Sequence, residues 1–143
     1  MEHEGKKKQT KREMFLNEME RVIPWDALQN VIEPHYPKVG KGRLPHEMKV
    51  MLRIYFMQQW YGLSDPGMEE ALYETASMRW FAGIEMWHEV LPDESAILRF
   101  RHLLERHRLT EQLLNVVNAY LLEKKLLLRT GTIVDATLIA ALG

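Results

Sequence analysis

The first residue type to weigh for chemistry is a lone acid. "GTIVDATLIAALG", residues 131–143, places Asp135 in an apolar, β-branched run. A carboxylate there is costly to ionise unless it is paired or binds metal. Two-metal phosphoryl chemistry needs several converging carboxylates, which one Asp does not supply. The other use of Asp135 is a capping or turn carboxylate beside Thr132 and Thr137. Zinc is disfavoured by spacing. His46-Glu47 and His88-Glu89 open like the zincin motif, but neither has a second His four residues on. His102 and His107 are five apart, out of phase for a shared ligand set on one helix face. The chain has no cysteine, so no thiolate nucleophile or disulfide, which fits a reducing compartment. Ser64 and Ser77 lack a nucleophile-elbow context, and no glycine-rich phosphate loop opens a helix.

The second group of interest is cationic. Lys38, Lys41 and Arg43 surround Gly40 and Gly42, where backbone and charge together suit a phosphate. Lys49 and Arg53 follow at i and i+4 and define the expected wet stripe of their helix. Arg99, His102 and Arg106 recur at i, i+3 and i+7, so one helix face carries all three, with Arg101 and Arg108 flanking it. Net charge is −1, but its distribution is uneven: segments 38–60 and 95–108 are basic and 61–94 is strongly acidic. Spaced cations neutralise a duplex charge ladder, and side chains at that spacing reach base edges from a helix in the major groove. Periodicity alone fits an ordinary solvated helix face equally well.

The elements that must position these groups read as helices. "VIPWDALQNVIEPHYP" holds a short helix stopped before Pro34. "LPHEMKVMLRIYFMQQWYG" is apolar on two faces, so it is central, from Pro45 to Gly62. "SDPGMEEALYETASMRWFAG" reads as helix, turn, helix, capped by Ser64 or Asp65, with Leu72 and Tyr73 inward and Trp80 and Phe81 as core anchors. A helix over 93–108 starts at Asp93 and buries Ile97, Phe100, Leu103 and Leu104; a last helix is capped by Thr110. The expected fold is mainly α: a compact bundle of about five helices with a helix-turn-helix-like part, ending in one strand. Its divisions are a basic, partly disordered arm over 1–23, a helical domain over 24–128, and a terminal strand over 129–143. No signal peptide or membrane-spanning stretch is apparent.

Five runs together carry a resemblance: "WDALQNVIEPHYPKVGKGR", "MLRIYFMQQWYGLSDPGMEEALYE", "MRWFAG", "LPDESAILRFRHLLE" and "GTIVDATLIAA". They resemble the N-terminal part of bacterial insertion-sequence transposases of the "IS five" group, a family with a DDE nuclease core. The resemblance implies a helical DNA-binding region followed by a ribonuclease-H-like catalytic domain. It makes Asp135 the first of three catalytic, metal-binding acids. The complete enzyme would hold two divalent ions, magnesium, for DNA strand cleavage and transfer. This chain carries none of the later acids, so it is expected to be truncated after Asp135, to be inactive alone, and to need no cofactor of its own. The implied partner is double-stranded DNA at element ends, bound through Lys38, Lys41, Arg43, Lys49, Arg53, Arg99, Arg101, His102, Arg106 and Arg108. The alternative role is an interaction module that dimerises with, or inhibits, full-length transposase. The expected location is the bacterial cytoplasm, associated with the nucleoid and without membrane contact. Ser95-Ala96 departs from the Thr-Thr common in related proteins.

Overall fold

The computed structural model describes residues 8–38, 46–84 and 90–127. Within them lie seven α-helices and one short 3-10 turn, in place of the expected five helices. The helix that the sequence reading lacked lies in the basic N-terminal stretch, about half of which is helical, while the 64–83 segment divides at Thr75, as its sequence suggested.

Helix α1, Lys11–Val22, begins with a capping box. The Thr10 hydroxyl accepts from the Glu13 N–H at 3.1 Å, and the Glu13 carboxylate accepts from the Thr10 N–H at 3.2 Å. Two donors that the helix start leaves unpaired are thereby satisfied. Leu16 and Met19 then enter the core, so the second half of the expected arm is packed structure.

Helix α2, Trp25–Ile32, leads into the 3-10 turn Glu33–His35, which contains Pro34. Helix α3, Met48–Tyr61, buries Val50, Met51, Leu52, Ile54, Phe56 and Met57. A helix covered on so many sides must be central, and α3 touches α2, α4, α5 and α6. It stops at Gly62, whose φ of 62° is a left-handed conformation that a Cβ would strain.

Helix α4, Asp65–Glu74, is capped by Ser64, which accepts from the Gly67 N–H at 3.0 Å. Met68 and Leu72 face the core, while Tyr73 is 62% exposed and so does not turn inward as expected. Helix α5, Ala76–Ala82, ends at Gly83 with φ 85°. Helix α6, Glu94–Arg106, is capped by Asp93, whose carboxylate accepts from the Ala96 N–H at 2.8 Å. Helix α7, Leu109–Leu127, begins one residue before Thr110, so Thr110 lies inside the helix and does not cap it.

The core is a single apolar cluster with an aromatic knot at its centre. Trp25 meets Phe56 edge-on at 5.3 Å and Phe81 at 5.7 Å; Trp60 lies 5.5 Å from Phe56 and 5.9 Å from Phe81. Phe81 is therefore the core anchor expected of it, at 1% exposure, while Trp80 is half-buried. No strand occurs among the described residues, and the strand expected over 129–143 lies outside them. Among the described residues no helix is long and apolar enough to cross a membrane.

Candidate nucleic-acid interface

Helix α6 is held against the core by Ile97, Phe100 and Leu104, all almost fully buried. It packs on α3, α4 and α7. The 3.6-residue period then sends Arg99, His102 and Arg106 outward together. These three are exposed and share the wall of an open cavity of about 540 Å³, whose other wall includes Tyr36, His46 and Met51. Neither Arg99 nor Arg106 has a carboxylate partner among the described residues.

The opposite wall is fixed by Tyr36. Its hydroxyl donates to the His46 carbonyl, joining the end of the 3-10 turn to the approach of α3. Burial pushes the Tyr36 phenol up to about 12, so it remains a protonated donor throughout the ordinary pH range. A ring stack between His35 and His107, centroids 4.3 Å apart, ties the same turn to the end of α6. Sequence reading missed Tyr36 and this histidine pair. The available signal was "EPHYP", where two prolines bracket aromatic rings.

The N-terminal turn of α6 is already occupied. The Glu94 N–H donates to Glu69 Oε1 at 2.7 Å, and Asp93 caps the turn. An anion is therefore repelled at that end, and the cationic character of α6 begins beyond its first turn, at Arg99.

The structure divides the other sequence-derived site residues. Arg101 turns toward α4 and grips Asp65 through Nε at 3.1 Å and Nη2 at 2.7 Å, while Gln58 donates to the same carboxylate at 2.7 Å. Arg108 is exposed at the α6–α7 corner with φ 53° and lines a different cavity, together with Arg101, Glu105 and Glu111. These two arginines do not join the Arg99–Arg106 face. Lys49 is exposed on the first turn of α3, with Glu47 at 3.7 Å. Lys38 is exposed and follows Pro37, which lines the Arg99 cavity.

Arg53 corrects the expectation of a wet stripe. It points inward to Glu20 on α1, lies over the Trp25 and Phe81 rings, and is only 15% exposed. Its neighbours already satisfy the guanidinium, so it is a packing residue and not a surface cation. Lys41, Arg43 and Asp135 lie outside the described residues. Among the described residues, no group of three or more His, Asp or Glu gathers to hold a metal ion.

The Arg101–Asp65 pair gives a testable pH dependence. Hydrogen bonding from Arg101, aided by Gln58, holds the Asp65 carboxyl below the ordinary range, with burial opposing. A depressed folded-state pKa stabilises the fold above the unfolded value, about 3.9, and that contribution is lost as pH falls through the folded value. Asp65→Asn should therefore destabilise at neutral pH by about 1–2 kcal/mol, a figure reduced for partial solvent exposure. The difference from wild type should shrink below about pH 4. Urea midpoints at pH 7 and pH 3 check this; an equal deficit at both would assign the loss to packing.

The family model for the transposase domain (DUF772) matches residues 3–103, and the chain belongs to that family. The match runs from the N-terminal stretch through Leu103 in α6, so it includes Arg99 and His102 and stops short of Arg106 and α7. Membership places the chain among proteins of DNA transposition. No solved structure matches it.

Proposed function

We propose that this domain binds double-stranded DNA at the ends of a mobile element, as the N-terminal region of a DDE-type transposase. The observation that carries the reading is the trio Arg99, His102 and Arg106, aligned on one exposed face of α6 without a neutralising carboxylate among the described residues. The contrast within the chain supports it. Arg53, Arg79 and Arg101 are each engaged by carboxylates or backbone carbonyls, whereas Arg99 and Arg106 are available.

Guanidinium groups fit the task because their planar fork meets phosphate oxygens, or the O6 and N7 acceptors of guanine, in two parallel hydrogen bonds. Arg99 and Arg106 are seven residues apart, about 10.5 Å along the helix. That distance matches about three base-pair steps. Exposed Lys38, next in the chain to the cavity-lining Pro37, offers a further phosphate contact, and Lys49 adds charge on α3. The metal chemistry implied for Asp135 belongs to the complete catalytic domain, where it would join acids from later segments.

The experiment is a fluorescence-anisotropy salt series on a duplex carrying the element's terminal sequence. Wild type should lose affinity linearly in log–log form as salt rises. Arg99→Ala and Arg106→Ala should each weaken binding about tenfold and reduce the salt slope by about one if the lost contact is to phosphate. Binding that ignores salt, or both variants matching wild type, would remove α6 from the interface.

A further inference from the structure

The polar face of α6 carries one residue that phosphate binding does not use. Leu98 is a large apolar side chain left 36% exposed in the middle of the helix. Setting Arg99 at zero and advancing about 100° per residue, Arg106 falls near −20°, Ser95 near −40°, His102 near −60° and Leu98 near −100°. The buried residues Ile97, Phe100 and Leu104 lie on the other side, between about 100° and 160°. Leu98 thus borders the cationic face and not the core. On its far side come Glu105 and Glu94, so Leu98 separates the cations from an acidic edge.

We infer that Leu98 is a specificity-determining residue that reads the C5-methyl group of a thymine. This rests on the DNA-binding reading above and deepens it. The major groove offers hydrogen-bond donors and acceptors at every base pair, and its apolar feature is the thymine methyl. A leucine beside two arginines on a groove-facing helix finds its match there. Leu98 and His102 are about 6 Å apart along the axis, close to two base-pair steps. The thymine therefore lies toward the α6 N-terminus, and the purine acceptors read by Arg99 and Arg106 lie within about three base pairs of it. The N-terminal turn, guarded by Asp93, Glu94 and Glu69, repels phosphate, which suits a contact made through an apolar group.

The test begins with in vitro selection of a preferred duplex by the purified full chain. Each thymine of that duplex is then replaced, one at a time, by deoxyuridine, which removes only the methyl group. At one thymine the replacement should weaken wild-type binding about fourfold, the worth of one buried methyl-sized group. Leu98→Ala should bind the unmodified duplex with similar weakening and show no further loss on that replacement. Its salt slope should equal that of wild type, because no charge has changed. Wild type indifferent to deoxyuridine at every thymine overturns the inference, as does Leu98→Ala retaining the fourfold discrimination. Either result with salt-dependent wild-type binding intact leaves the DNA-binding reading standing. Wild type that selects no duplex at all removes both.

Discussion

Arg53→Ala should lower the free energy of unfolding by about 3 kcal/mol while leaving the DNA affinity of the folded protein unchanged. The guanidinium makes three kinds of contact that an alanine lacks. Its Nη2 donates to Glu20 Oε2 at 2.8 Å, linking α3 to α1. Its Nη1 donates to the Phe81 carbonyl at 3.1 Å, near the C-terminal end of α5. Its Cζ lies 4.5 Å from the Trp25 ring centroid and 5.1 Å from that of Phe81. Each cation–ring contact contributes about 0.5–2 kcal/mol, and a charged hydrogen bond to a carbonyl about 1.5–3 kcal/mol. Glu20 is 41% exposed, so water screens its share and keeps the expected total near the lower end.

For a domain of this size the loss corresponds to a fall in Tm of about 10 °C. Arg53→Lys should recover little, because a lysine keeps the charge without the flat fork that serves Glu20, a carbonyl and two rings together. Denaturant midpoints and anisotropy on the same samples make the check. A normal midpoint with weakened DNA binding would return Arg53 to the surface and place the interface on α3.

Arg53 and Arg99 also show where sequence reading stops. Both are arginines on amphipathic helices, with neighbours at helical spacing, and nothing local separates them. Their fates are decided by residues far along the chain: Glu20 lies 33 positions before Arg53, and Phe81 lies 28 after it. Helix ends were legible because caps are local chemistry. Ser64, Asp93, Gly62 and Gly83 all do what their types allow. Thr10 and Glu13 have the spacing of a capping box, but the lysines around them have the composition of a solvated arm, and only the packing of Leu16 and Met19 separates the two. Tyr73 went the other way. Its type suggested burial, but Met68 and Leu72 already fill the inward side of α4. The groove needed the pairing of Tyr36 with His46 and the stack of His35 on His107, contacts between elements that no periodicity within one element specifies.

Phe81→Ala should be more damaging still, at about 3–5 kcal/mol. The ring is 1% exposed and fills the space between Trp25 and Trp60, so its removal leaves a cavity walled by stiff aromatic rings. Such walls close poorly around a void, which puts the cost in the upper part of the range. Phe81→Leu restores much of the volume and should cost roughly half as much. The double variant carries the sharper information. The Phe81 ring is one face of the Arg53 site, so alanine at either position spoils part of what the other contributes. Arg53→Ala with Phe81→Ala should therefore lose less than the sum of the two single losses, with a coupling of about 0.5–2 kcal/mol. The backbone carbonyl that accepts from Arg53 survives the Phe81 change, so the coupling stays smaller than the whole Arg53 effect. Strict additivity in denaturant titrations would mean that Arg53 acts through Glu20 and the carbonyl alone. With total stabilities of small domains near 5–15 kcal/mol, the double variant stands close to unfolding at 37 °C. Its DNA affinity should then fall with the folded fraction, whereas Arg99→Ala weakens binding with the fold intact.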